Sequence, residues 1–148
     1  MSKKNIILVS LVVVLAGIYV IFFTHWFQPR VMLISHTSRP EGGRNSVRMT
    51  FSLGDYYELT DVKVVPLDDF KKNPDARPIW HLVSDDGSDS TEVFSYGEGI
   101  GGMDPATAGA EAEPLQSGVR YRLLVTAGKV KAQHDFYFGK PPTNASNN

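Results

Sequence analysis

Apolar residues in this chain follow two rhythms. Between Ile6 and Phe23 (IILVSLVVVLAGIYVIFF) they are continuous, carry no charge, and are interrupted only by Ser10, Gly17 and Tyr19. From Arg30 onward they alternate with polar residues. A continuous run makes a helix apolar on every side, whereas alternation gives an extended strand one inward and one wetted face. The first rhythm predicts a membrane-spanning helix, and the second a mainly β domain.

At about 1.5 Å per residue the run to Phe23 reaches about 27 Å, and extension to Phe27 gives about 33 Å, against a hydrocarbon core of about 30 Å. Lys3 and Lys4 precede the run, and His25, Trp26 and Phe27 follow it, as a charged cytoplasmic flank and an aromatic interfacial belt would. The expected layout is a short cytoplasmic amino terminus (1–5), a transmembrane signal-anchor helix (6–27), a β domain outside the cell membrane (30–138) and a disordered tail (139–148). Arg30 and Arg39 on the far side keep the orientation bias small. Three other readings fit less well. Cleavage after Val14-Leu15-Ala16 would leave a mature chain beginning with exposed apolar residues. Leu15-Ala16-Gly17 begins a lipobox, but Ile18 stands where that motif needs Cys, and the chain has none. A buried core helix need not be apolar on all sides in so small a domain.

Along the second regime, Val31 to Ser35 is expected as the first strand, ended by the turn-rich Arg39-Pro40-Glu41-Gly42-Gly43. Val47, Met49, Phe51 and Leu53 form the clearest alternating strand, closed by a turn at Gly54-Asp55. Tyr57 to Leu67 is extended, with a phase shift between Leu59 and Val62 that marks a bulge or a break, and Pro66 confines it to an edge or an end. Asp68 to Pro78 reads as a loop, Ile79 to Val83 and Thr91 to Tyr96 as short strands, and Met103 to Glu113 as an Ala- and Gly-rich connection. Strands around Val119–Val125 and Val130–Phe138 complete the series, joined at Ala127-Gly128-Lys129 by a hairpin. Such a series predicts a two-sheet sandwich or a small barrel.

The segment Leu115-Gln116-Ser117-Gly118-Val119-Arg120-Tyr121 resembles the Leu-x-Pro-Gly-Thr-x-Tyr tyrosine corner of fibronectin type III domains, with Ser117 at the proline and Val119 at the threonine. The resemblance covers about a dozen residues. It implies a fibronectin-III- or immunoglobulin-like β-sandwich in which the Tyr121 hydroxyl bonds back to the loop before it, and it makes Trp80 a candidate core tryptophan. The chain is also similar to uncharacterised bacterial membrane proteins, a likeness that implies no function.

Composition changes this picture little. Of 15 Lys+Arg, 13 follow the anchor beside 16 Asp+Glu, a net −3 that gives no ground for a nucleic-acid partner. Tyr96 to Met103 (YGEGIGGM) contains Gly97-x-Gly99-x-x-Gly102, the spacing of a dinucleotide cradle. No helical pattern opens at the third glycine, so neither a nucleotide nor any other cofactor is expected. Asp85, Asp86, Asp89 and Glu92 gather carboxylates without the ordered calcium-loop pattern, and His25, His36, His81 and His134 lack zinc-ligand spacing. His134 falls on the inward face of its strand, as a hydrogen-bonded structural histidine. With no Cys and no Gly-x-Ser-x-Gly elbow, no catalytic, cofactor-binding or metal-binding residues are expected.

The function expected is therefore a membrane-anchored, non-catalytic module that binds another envelope protein or serves as an accessory subunit. The alternative is an extracytoplasmic carbohydrate- or peptide-binding module that uses Tyr56, Tyr57, Trp80, Phe94 and Tyr96 as a platform. An enzyme stands third.

Overall fold

Lys3–Phe23 form helix α1 in the computed structural model, which describes residues 2–23, 31–41 and 46–139. The helix begins ahead of the expected Ile6 because the backbone N–H groups of Asn5 and Ile6 donate to the Ser2 carbonyl at 2.8 and 3.3 Å, drawing the polar Lys3-Lys4-Asn5 into its first turn. Its expected end, Thr24 to Phe27, lies outside the described residues. Its 21 residues extend about 31 Å at ~1.5 Å each, and its described side chains have no buried face. Among the described residues it is the one helix long and apolar enough to cross a membrane.

The chain divides into two compact units, Met1–Arg30 and Val31–Asn148. The second holds β1 (Ser35–Glu41), β2 (Ser46–Tyr57), β3 (Asp61–Pro66), α2 (Leu67–Lys72), β4 (Trp80–Val83), β5 (Thr91–Ser95), β6 (Asp104–Pro105), β7 (Arg120–Ala127) and β8 (Val130–Tyr137). These strands make two antiparallel sheets, ordered β1-β2-β5 and β6-β4-β3-β7-β8.

Alternation supplies the core. Met49, Phe51 and Leu53 of β2 are buried, as are Val62 and Val64 of β3 and Tyr121, Leu123 and Val125 of β7. The two inner faces meet directly: the Phe51 and Phe136 rings lie 5.0 Å apart edge to face, and those of Trp80 and Phe94 lie 6.2 Å apart. Each pair joins one sheet to the other, so a single cluster of side chains holds both. Val65 and Leu67 are also buried, outside that cluster, where α2 packs against β3 and β7.

Four expectations need correction. The first strand is not Val31 to Ser35. Met32 is buried and Ile34 packs on the core, so the alternation is real, but backbone pairing with β2 begins at Ser35 and continues through Arg39 and Pro40, which were read as a turn. Nor does Gly54-Asp55 turn the chain. β2 runs through it to Tyr57, and the register with β5 shifts between Ser52 and Tyr57, a bulge for which Gly54 supplies a φ of 75°. The expected loop from Asp68 begins instead as helix α2, and Asp104–Pro105 of the expected connection pair with β4. The phase shift after Leu59 is the break between β2 and β3, and Pro66 ends β3. Ala127 and Val130 face each other across a two-residue hairpin. Of the expected tail, 140–148 lie outside the described residues.

Candidate functional site

The three-stranded sheet turns Met49, Phe51 and Phe94 inward, so the alternate residues of the same strands form its outer face. Register fixes which of them are neighbours. Ser35 lies opposite Ser52, Thr37 opposite Thr50, and Arg39 opposite Arg48, while β5 places Val93 beside Ser52 and Ser95 beside Thr50. Together they line a shallow cleft of about 350 Å³. Thr50 and Ser95 share a hydroxyl hydrogen bond of 3.4 Å, and Arg48 is ion-paired with Glu98 at 2.9 Å. Two like charges opposite each other on paired strands are unfavourable, which the Glu98 carboxylate relieves at one end.

Exposed apolar residues lie on this face and on the segments adjoining it. Val31 and Leu33 are 70% and 72% exposed, Tyr56 61% and Val93 53%. Leu33 lies beside Gly54, two residues before Tyr56, and Val93 sits two residues from Thr91, which pairs with Tyr57. Among the described residues of the β unit these four are the large hydrophobic side chains that face solvent. Of the four, Tyr56 belongs to the expected aromatic platform, and the others carry no sequence mark of a site, because an isolated exposed Val or Leu is ordinary.

The residues singled out by motif go elsewhere. The glycine segment is a packed crossing from β5 to β6. Gly97 and Gly102 take φ of 78° and 77°, the Gly101 carbonyl accepts from Asp89 N–H at 2.8 Å, and Ile100 and Met103 are buried in the core. No helix opens at Gly102; Asp104 pairs with Val83 instead. Asp85 and Asp86 flank a polar cleft with Asp104, and among the described residues no group of three or more His, Asp or Glu converges as a metal ion requires. Of the proposed aromatic platform, Tyr57, Trp80 and Phe94 are buried and Tyr96 is half-buried, leaving Tyr56 exposed. The Tyr96 hydroxyl donates to the Glu113 carbonyl at 2.6 Å, and burial above all, with Tyr121 and Glu113 nearby, raises its pKa far above the ordinary tyrosine value.

Tyr121 is buried, and its hydroxyl accepts the Gln116 backbone N–H at 2.9 Å, the bond that the tyrosine-corner resemblance implies. The histidines are paired by the fold rather than by spacing. His81 meets Asp61 at 3.1 Å across β4 and β3, while His36 Nδ1 and His134 Nε2 lie 2.7 Å apart between β1 and β8. Burial, and secondarily the neighbouring His36, lower the pKa of His134, against a smaller opposite pull from Asp135. Asp135 itself is held below the usual carboxylate range chiefly by the Arg122 guanidinium, which donates to it through two nitrogens at 2.6 and 2.9 Å. His25 lies outside the described residues.

No protein-family model, curated protein or solved structure matches this chain.

Proposed function

We propose that this chain is a single-pass membrane protein whose β unit is a fibronectin-III- or immunoglobulin-like sandwich acting as a non-catalytic docking module for another envelope protein. The fold part of the proposal rests on strand order. Taken in sequence as A, B, C, C′ and E, with β7 and β8 as F and G, the strands divide into A-B-E and C′-C-F-G, as immunoglobulin-type sheets do apart from an unmatched D strand and the added β6. The Tyr121 bond lies at the start of F, where such domains keep their corner tyrosine. The anchor rests on the apolar α1, and the amino-inside orientation on Lys3 and Lys4.

The docking role rests on the outer face of the three-stranded sheet, where exposed Val93 lines one cleft with Ser35, Thr37, Arg39, Arg48, Thr50 and Ser52, and on the exposed Val31, Leu33 and Tyr56 of the adjoining segments. Exposed apolar groups with a polar surround are what a protein interface presents before its partner arrives. The carbohydrate alternative loses support, since Tyr56 is the platform residue left exposed.

Photo-crosslinking in intact membranes tests the reading. A photoreactive residue at Val93 or Tyr56 of the full chain should give a discrete adduct with one envelope protein, and one at Lys131 on β8 should not. Equal labelling at all three positions, or no adduct from Val93 and Tyr56, would count against this face.

A further inference from the structure

We propose that the His36–His134 bond is a proton-operated fastener that ties edge strand β1 to the five-stranded sheet and releases it on acidification. The strand needs a fastener. β1 pairs with β2 alone, at the edge of its sheet, and from Ser35 to Pro40 every side chain is exposed, so this stretch gains nothing from core burial. Its links are the backbone ladder to β2 and, across to β8, the His36–Phe136 ring contact and the 2.7 Å contact between the two imidazoles, whose ring centres are 5.0 Å apart.

Imidazole chemistry makes that contact depend on protons. With both rings neutral, one N–H donates to the other ring's lone pair. With a single proton bound, an imidazolium still donates to a neutral acceptor. A second proton removes the acceptor and sets two positive charges face to face. Solvent on the exposed His36 screens part of this repulsion, and the protein side adds little. β2 opposes His36 with Phe51, β7 opposes His134 with Leu123, and the Phe136 ring lies 6.0 Å from His36. The charged groups acting on His134 are His36 and Asp135, and the Asp135 carboxylate is already engaged by Arg122, with Arg120 nearby.

The sign follows from the lowered proton affinity of His134. An unfolded histidine titrates near about 6.5, so below that pH the released strand binds more protons than the fastened one. Stability of the β1–β8 link is therefore full at neutral and higher pH and falls as pH drops below that value toward the lowered pKa of His134. Thr37, Arg39 and Ser35 of the docking face ride on β1, as does the chain leading from Val31 and Leu33. Insofar as the docking reading holds, acidification also weakens docking.

Two measurements on the full chain in lipid nanodiscs test the fastener without any partner, so its failure is separate from failure of the docking reading. Imidazole ¹⁵N spectra should show the His36–His134 ring-to-ring hydrogen bond at pH 8 and its loss at pH 5. Hydrogen exchange, corrected for the intrinsic pH effect, should show residues 35–40 losing protection at acid pH while β3 keeps it. In His36→Gln or His134→Gln that pH dependence should vanish. Persistence of the ring-to-ring hydrogen bond at pH 5, or pH-invariant protection of β1 in the wild-type chain, overturns the proposal even if neither variant folds.

Discussion

Single residues in this fold carry effects that differ sharply between chemically identical neighbours. Gly102 has φ 77°, and a Cβ there would meet the Asp89 nitrogen and Ser88 Cα at 3.2 Å, backbone atoms that cannot swing away. Gly99 has no atom within 4 Å of the same hypothetical carbon. Gly102→Ala should therefore destabilise by about 1–2 kcal/mol from the left-handed backbone alone, with more from the contact. Gly99→Ala should stay within about 0.5 kcal/mol, and denaturant midpoints of the two variants would show the contrast. Equal effects would mean that the loop is not packed as described. The same loop shows what spacing conceals. Gly97-x-Gly99-x-x-Gly102 has the spacing of a phosphate cradle, yet its glycines turn the chain so that Ile100 and Met103 enter the core. Tyr121 was the opposite case. Its local segment was enough to anticipate the 2.9 Å bond from Gln116, because a corner tyrosine reaches a partner only five residues away. Tyr121→Phe should cost about 1 kcal/mol by removing that acceptor, measured as a shift in denaturant midpoint without loss of fold.

At the level of elements, legibility followed burial. β2, β3 and β7 were readable because each sends alternate residues into the core, and the phase of that alternation survives without knowing the neighbours. β1 was misplaced for the converse reason. Its apolar residues, Met32 and Ile34, lie just before the strand, while its pairing residues from Ser35 to Pro40 are polar and face water. A strand held by backbone bonds to β2 leaves no hydrophobic trace. Helix α2 did leave a trace, one that went unread. Pro66 precedes it, Asp68 and Asp69 fill its first turn, and Lys71 and Lys72 its last, the charge order that suits a helix dipole. At six residues it is too short to show a 3.6-residue period, and its burial is concentrated in Leu67. The candidate face was the least legible part. His36 and His134 stand 98 positions apart, and only strand register sets Ser35, Thr37 and Arg39 beside Ser52, Thr50 and Arg48, and Val93 beside Ser52.

For the whole molecule, the informative combination is an apolar helix followed in sequence by a mainly β unit. Val31 stands eight positions after Phe23, the last residue of α1. For the proposed anchored docking module, a partner that is itself held at the membrane is favoured, since confinement of both to one surface raises their effective concentration without any new contact. The orientation of the anchor then decides which partners are reachable. Lys3 and Lys4 flank one end and Arg30 and Arg39 follow the other, so the positive-inside bias is small and should be easy to perturb. In cells whose outer layers have been opened but whose inner membrane is intact, added protease should cut the β unit of the wild-type chain. Replacing both lysines (Lys3→Glu, Lys4→Glu) should protect a growing fraction of it. Protection of the wild-type β unit would reverse the topology and with it the compartment in which the Val93 face must find its partner. Indifference to the lysine changes would show that the flanking lysines do not set the orientation.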